Sequence, residues 1–328
     1  MLSDALTPDN LHLSRPSRAF ETLASNGALI CTIPNEVTKY VAESLAHNTQ
    51  RAYLSDLAHF ENWGATIPAS PTHVASYLAA HAETLSIATL IRRIASISKA
   101  HEARGLPNAT RSELVRATMR GIKRAKGTAQ RQAKPFLKEE LILVLDAMGG
   151  SMKDARDRAL LLIGFAGGFR RSELVGLDVE DIELVRQGVI LHLQRSKTDQ
   201  LGQGRKIAIP HGRTRYCPVY ALVTWLGTSV IEQGPVFRPV DRHGKISNER
   251  LSGDAVSEVV RERLIAAKID ATGYSGHSLR AGLATSAAQA GVSAWKIRQQ
   301  TGHASDATLA RYIRDGELFT GNAAGALL

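Results

Sequence analysis

The chain has 328 residues, of which 44% are hydrophobic and 22% are charged, and this composition excludes a fibrous or disordered protein. Lys and Arg number 41 against 31 Asp and Glu, and the net charge of +10 favours a negatively charged partner such as nucleic acid. The two cysteines, Cys31 and Cys217, form no metal or redox motif, and no signal peptide or long apolar run is visible. We therefore expect a cytoplasmic protein with no membrane association.

The first third of the chain is predicted to be helical after a flexible N-terminal arm. Residues 1–35 hold scattered prolines with little periodicity, whereas residues 36–124 show helical spacing. A helix near residues 47–63 carries a row of large apolar side chains, which we interpret as core packing rather than as a platform for base stacking. The row comprises Tyr53, Leu57, Phe60 and Trp63. Further helices are expected from a cap at Ser70 or Thr72 to His81, from about Ile87 to Arg104, and from about Thr110 to Lys123.

A polar, basic segment marks the boundary between two predicted domains. Residues 125–135 are almost free of large apolar side chains, which is typical of a linker. The basic excess peaks in residues 104–134, which hold nine Lys and Arg and a single acid, Glu113. Such a stripe suits a phosphate backbone, although on charge alone a solvated helix face explains it equally well.

Residues 136–328 are predicted to form a mixed domain with a small sheet. Helices are expected at residues 138–148 and 154–164, and short strands at residues 189–193 and 206–209. A polar loop joins the strands, and helices resume near Ser252 and continue nearly to the end of the chain. The predicted fold is therefore mainly α, with an N-terminal helical bundle and an α+β domain that contains a small antiparallel sheet.

Four short segments of this second domain carry polar residues with a shared chemistry. Arg170 and Arg171 follow an apolar helix, Lys197 lies at the hairpin turn, and His277 and Arg280 are three residues apart on one helix face. Gly302-His303 is followed nine residues later by Tyr312. No pair of carboxylates, Asp-rich metal motif or Gly-rich phosphate loop accompanies them in the sequence.

This inventory fits phosphoryl transfer without a metal ion or another cofactor. Arginine forks can hold the non-bridging oxygens of a phosphodiester and stabilise the charge that develops there. A histidine can accept the proton of a nucleophile, and a lysine can protonate the departing oxygen. A tyrosine has a free pKa near 10 and becomes a usable nucleophile beside arginines and a base.

The order Arg…Lys…His-x-x-Arg…His…Tyr resembles the tyrosine recombinase (phage integrase) family. Gly-His-Ser-x-Arg, Ala-Gly-Val-Ser and Tyr-Ile-Arg are most similar to its Cre-like members. The resemblance implies a core-binding (SAM-like) domain over residues 36–124 and a catalytic domain with a C-terminal tail over residues 136–328, which together form a clamp around DNA. It also implies a homotetramer on a double-stranded recombination site, strand exchange through a Holliday junction, no metal, ATP or other cofactor, and a location at the nucleoid.

The resemblance also assigns roles to single residues. Arg170 and Arg280 would hold the scissile phosphate, and Tyr312 would form a 3′-phosphotyrosyl bond. His277 would act as base or proton relay, and His303 would add a hydrogen bond to the phosphate. Lys197 would be the general acid, with Lys206 open as the alternative. In the first domain, expected DNA contacts come from Arg51, Arg92 and Ser96.

Several alternatives remain open on the sequence alone. Residues 283–313 also suit a helix-turn-helix regulator without catalysis, and a type IB topoisomerase shares the nucleophile and the arginines. Zinc bound by His277 and His303 lacks a third ligand at suitable spacing. Arg171 competes with Arg170 for the phosphate, and the Arg-x-Ser-Glu-Leu spacing favours Arg170. The apolar tail, residues 318–328, could pack on its own domain, but the family resemblance implies that it docks on a neighbouring protomer.

Overall fold

The computed structural model describes residues 47–128, 132–194, 204–303 and 305–316. The chain divides into two compact units, residues 1–130 and 131–328. The predictions for the arm, for Lys197 and for the C-terminal tail fall outside the described residues. The described parts of the chain are mainly helical with one small antiparallel sheet, as the sequence predicts. None of the helices in these parts is both long enough and apolar enough to cross a membrane.

The described part of the first unit, residues 47–128, contains four α-helices around an apolar core. They are α1 (His47–Asn62), α2 (Pro71–Ala80), α3 (Ile87–Ala103) and α4 (Glu113–Lys126). The predicted cap of α2 is confirmed at Ser70, whose side chain accepts the N–H of His73 at 3.2 Å. The helix predicted from about Thr110 begins at Glu113, because a short 3₁₀ turn precedes it.

The row of large apolar side chains predicted along α1 is only partly buried, and its last member, Trp63, lies one residue beyond the helix. Phe60 is fully buried and Leu57 packs against the core, as predicted. Trp63 keeps 37% of its surface exposed, and its ring meets that of Tyr77 edge to face at 5.4 Å. On α4, by contrast, the apolar residues Val115 and Met119 face inward, and the basic residues of the helix lie mostly on its exposed side.

The second unit combines eight α-helices of the described chain with a three-stranded sheet. The helices are α5 (Lys138–Asp146), α6 (Met152–Gly167), α7 (Arg171–Gly176), α8 (Pro218–Ser229), α9 (Gly253–Ala266), α10 (His277–Gln289), α11 (Ala294–Thr301) and α12 (Asp306–Gly316). The strands are β1 (Ile182–Val185), β2 (Gly188–Leu193) and β3 (Arg205–Pro210), in that order in the sheet.

Three of these elements were not predicted from the sequence. Helix α7 has only six residues, which is too short to show a helical pattern. Strand β1 has only four residues and pairs with β2 in a tight antiparallel hairpin. Helix α8 is rich in β-branched and aromatic residues, which obscures its helical pattern. Its Trp225 is fully buried and donates to the carbonyl of Val236 at 2.8 Å.

Helix α6 lies at the centre of the second unit and packs against α8, α10 and the sheet. Leu160, Leu161 and Ile163 of α6 are fully buried. Helix α10 lies very close to the segment just before α5, since a Cβ at Gly282 would lie 1.9 Å from the carbonyl oxygen of Phe136. This close packing fixes the position of α10, on which two of the predicted site residues lie.

Candidate active site

Arg170 is held at the junction between α6 and α7. Helix α6 ends in a left-handed residue, Gly168 (φ +59°), where a Cβ would lie 2.9 Å from Cγ2 of Thr301. The chain then turns, and the buried carboxylate of Glu173 accepts both the backbone N–H of Arg170 at 2.9 Å and its Nη1 at 2.5 Å. Nη2 of Arg170 donates to the carbonyl of Gly302 at 3.2 Å. The guanidinium is thus fixed in position by contacts on two sides.

Arg280 is the most deeply buried cation of the site. It is 1% exposed, and its Nη1 donates to the carbonyl of Gly168 at 2.8 Å and to that of Thr301. Its Nη2 is also buried and has no hydrogen-bond partner among the described residues. Burial, followed by the positive charge of Arg170, lowers the pKa of Arg280 to about 10. A buried guanidinium with an unused N–H is suited to an anionic ligand.

His303 lies beside these arginines and is 7% exposed. Burial and the charges of Arg280 and Arg170 lower the pKa of His303 to about 3, so the imidazole is neutral at pH 7. Its Nδ1 lies 2.7 Å from Oγ1 of Thr301, which also reaches the carbonyl of Ile297 at 2.7 Å. The single hydroxyl hydrogen of Thr301 can serve only one of these two acceptors. Donated to Ile297, it leaves Oγ1 to accept from Nδ1–H of His303; donated to Nδ1, it leaves the proton of His303 on Nε2, where it can be donated to a ligand.

Tyr312 and His277 face each other across two helices. Oη of Tyr312, on α12, lies 3.3 Å from Nε2 of His277, the first residue of α10. The ring of Tyr312 is tilted over that of His303, with 5.9 Å between centroids. Tyr312 is also close enough to Arg280 for their charges to interact. A phenol, an imidazole and a buried guanidinium therefore meet at one place, which is the chemistry needed to deprotonate a phenol beside an anion.

Comparison with known proteins identifies the family. The sequence model of the phage integrase family matches residues 135–317. An integrase/recombinase XerD homolog of Selenomonas ruminantium is 42% identical over 291 residues, which is 86% of this chain and 85% of that protein. The chain belongs to the phage integrase family. Members of this family of tyrosine recombinases cleave and rejoin DNA with a tyrosine nucleophile.

A further sequence relative agrees with this assignment, and a solved structure shares the fold. The Cre recombinase of Escherichia phage P1 is 28% identical over 276 residues, which is 77% of this chain and 78% of that protein. The fold resembles that of a lambda integrase tetramer bound to a Holliday junction, with a TM-score of 0.56 and 18% identity. The likeness covers 91% of this chain and 81% of that one.

Within this family assignment, the geometry favours Arg170 over its neighbour. Nη1 of Arg171 binds Oδ1 of Asp254 at 3.0 Å and Oγ of Ser257 at 3.3 Å, so its side chain faces α9. Arg170 instead faces Gly302, next to His303. His277 and His303, which were considered as zinc ligands, belong to no group of three or more potential ligands in the described ranges.

Sequence reasoning missed Arg205, a third arginine of the site. Strand alternation places Arg205 on the same face of β3 as the buried Ile207 and Ile209, whereas Lys206 lies on the opposite, exposed face. That alternation is visible in the sequence and could have identified the residue. It also turns Lys206 away from Arg205, so Lys197 stays the predicted general acid, outside the described residues.

The predicted DNA contacts of the first unit need one correction. Ser96 is 1% exposed, and its hydroxyl donates to Oδ2 of the buried Asp56 at 2.9 Å, so in this arrangement it is not presented to DNA. Sequence reasoning had taken Ser96 as a surface position and had not considered Asp56. Arg92 makes two 2.8 Å hydrogen bonds to the same carboxylate but is half exposed, and Arg51 is exposed.

Proposed function

We propose that this chain is a site-specific recombinase in which Tyr312 cleaves a DNA strand and becomes covalently joined to it. The observation that carries the proposal is the position of the Tyr312 hydroxyl, 3.3 Å from Nε2 of His277 and beside Arg280. A nucleophile and its base must be within hydrogen-bond reach, and apo distances are often slightly long. The family membership of the chain supports the same nucleophile.

The cleavage step balances without a metal ion or an external energy source. Oη of Tyr312 attacks phosphorus as its proton passes to His277, and the bond from phosphorus to the 5′ oxygen breaks. The departing oxygen takes a proton, which we assign to Lys197. The 3′-phosphotyrosyl bond conserves the energy of the broken linkage, so a 5′ hydroxyl can reverse the step and rejoin the strand.

The negative charge that develops on the phosphate is the main electrostatic demand of this step. We assign its stabilisation to Arg170 and Arg280, whose guanidiniums are held by protein carbonyls and by Glu173 before any ligand arrives. Donors fixed in advance cost little reorganisation during the reaction. His303, neutral at pH 7, adds a hydrogen bond from Nε2 when Thr301 donates to Nδ1.

Strand exchange requires more than one copy of the chain on the DNA. We propose a homotetramer on two duplex recombination sites, by analogy with the lambda integrase tetramer bound to a Holliday junction. The first unit would serve as the core-binding domain, with Arg51 and Arg92 as DNA contacts. The exposed basic residues of α4 support a phosphate-binding role for this unit.

The nucleophile is tested with wild-type, Tyr312→Phe and Tyr220→Phe proteins in excess EDTA. Tyr220 is 69% exposed on α8 and serves as the matched control. Labelled duplexes that flank the gene of this chain are first screened for binding, and the bound ones are then nicked near the cleavage site to trap a covalent product. We expect a protein–DNA adduct on denaturing gels with wild type and Tyr220→Phe, and none with Tyr312→Phe.

The same assay separates the competing functions. An adduct that persists in Tyr312→Phe would contradict the assigned nucleophile. Specific binding without an adduct in any variant would favour the helix-turn-helix regulator. A wild-type protein that forms the adduct and relaxes supercoiled plasmid, but gives no recombinant from two sites, would favour a topoisomerase.

A further inference from the structure

Arg205 brings a third guanidinium into the site. It is the first residue of β3, and its side chain is 22% exposed. The guanidinium lies against Gly302, where a Cβ would come within 2.2 Å of Nη1 and 2.6 Å of Cζ. Gly302 directly precedes His303, and its carbonyl accepts from Arg170. Glycine at position 302 therefore makes room for Arg205 next to the groups assigned to catalysis.

The contacts of Arg205 leave part of its hydrogen-bonding capacity unused. Nη1 donates to the carbonyl of Gln300 at 3.1 Å. Nη2 lies 3.5 Å from Oε2 of Glu173 and, although buried, makes no hydrogen bond within the described part of the chain. Nη2 of Arg280 is in the same situation. Two buried, unpaired N–H groups on neighbouring guanidiniums are costly unless a ligand accepts from them.

The charges in this region do not cancel. Among the described residues, Arg170, Arg205 and Arg280 interact with one carboxylate, that of Glu173, so three positive charges face one negative charge there. Burial, and then the charge of Arg170, lowers the pKa of Arg205 against the opposing effect of Glu173, and Arg205 in turn helps to lower the pKa of His303. A phosphodiester carries one negative charge, and the transition state of its displacement gathers a second.

We propose that Arg205 is a third guanidinium of the phosphate-binding site and faces the scissile phosphate together with Arg170 and Arg280. The identity of the anion as a DNA phosphate rests on the proposed function, whereas the presence of an anion site does not. The alternative is that Arg205 has only a structural role and links β3 to α11 through its hydrogen bond to the carbonyl of Gln300.

The anion site can be tested without knowledge of the DNA target, with inorganic sulfate as the probe. Sulfate replaces chloride at constant ionic strength over the low millimolar range, and the thermal unfolding midpoint of the full chain is followed. The variants are Arg205→Gln, Arg205→Lys and, as the matched control, Arg186→Gln, which removes an exposed positive charge from the turn between β1 and β2. Each protein is compared with its own midpoint in chloride, so a change in basal stability does not enter the comparison.

A ligand that binds the folded state raises the midpoint saturably. We expect this rise in wild type and Arg186→Gln, a smaller rise in Arg205→Lys, and its loss in Arg205→Gln. If sulfate raised the unfolding midpoint of Arg205→Gln as much as that of wild type, the proposal would be overturned and Arg205 would have only the structural role. Absence of a saturable rise in wild type would also overturn it. No DNA cleavage enters this assay, so its failure is distinct from a failure of the Tyr312 experiment.

Discussion

The carboxylate of Glu173 fixes Arg170 at two points, since one oxygen accepts the backbone N–H at 2.9 Å and the other accepts Nη1 at 2.5 Å. Because Glu173 has a 1% exposed side chain, both bonds are made away from water. The same carboxylate lies 3.5 Å from Arg205. Glu173 thus sets the direction of one guanidinium and partly neutralises two, which assigns it a positioning role within the site.

Replacement of Glu173 by glutamine should destabilise the fold and slow DNA cleavage together. The amide retains the shape of the side chain but removes the one carboxylate that contacts Arg170 and Arg205 within the described part of the chain. We expect a loss of about 3 kcal/mol in the free energy of unfolding, the usual result of breaking a buried ion pair. Urea denaturation measures this loss. Glu113→Gln, in an exposed pair with Arg120, should change the stability very little, and an equal loss in both variants would contradict the account.

Thr301 should control which nitrogen of His303 carries the proton. Thr301→Val keeps the shape but removes the oxygen that lies 2.7 Å from Nδ1. We expect cleavage of a nicked DNA substrate to slow by about tenfold, which corresponds to the loss of one hydrogen bond. Thr301→Ser restores the hydroxyl and should cleave at close to the wild-type rate. Equal rates for valine and serine would show that the hydroxyl has no part in orienting His303.

The lowered pKa of His303 predicts how the stability depends on pH. The unfolded histidine takes up a proton near pH 6.5, whereas the folded one, with a pKa of about 3, does not. Between these values the unfolded state binds more protons, so the free energy of unfolding falls as the pH is lowered, by up to about 1.4 kcal/mol per pH unit.

Denaturation of wild type and His303→Gln should be measured between pH 4 and pH 7, a range that lies largely between the two pKa values of His303. The slope of the free energy of unfolding against pH is then compared. The variant should lose stability less steeply with acid than wild type. His243→Gln, a change at an exposed turn residue, is the control and should retain the wild-type slope. Parallel curves for wild type and His303→Gln would contradict the burial of a neutral imidazole.

Gly302 should not tolerate a side chain. Its backbone is left-handed (φ +65°), and a Cβ would meet the guanidinium of Arg205 at 2.2 Å. Gly302→Ala should therefore lower the free energy of unfolding by about 1 kcal/mol or more from backbone strain alone. At Gly227, within α8, a Cβ would meet nothing within 4 Å, and Gly227→Ala should stabilise by about 0.5–1 kcal/mol. Chemical denaturation of both variants measures these changes. An unchanged free energy of unfolding in Gly302→Ala would contradict the packing described.

The sequence predicted the parts of the fold that follow from local pattern. Caps such as Ser70 and the apolar spacing of the long helices are local signals, and the structure agrees with them. Helix α8 was missed because its burial around Trp225 depends on partners distant in sequence. The burial of Ser96 depends in the same way on Asp56, 40 residues earlier in the chain.

The candidate site shows the same division between local pattern and tertiary packing. Arg170, His277, Arg280, His303 and Tyr312 were chosen by their order along the chain, and the structure brings their elements together. The role of Arg205 could not be read from that order, because it depends on the approach of β3 to Gly302. The proton position on His303 likewise depends on Thr301, a contact that only the folded chain provides.

The central claim, that Tyr312 forms the covalent bond to DNA, is tested most directly by mapping the adduct. Trypsin cuts after Arg311 and Arg314, so digestion of the nuclease-trimmed adduct releases the tripeptide that begins at Tyr312. We predict that mass spectrometry finds a 3′-linked nucleotide on this tripeptide. A nucleotide found on a peptide from another part of the chain would contradict the account.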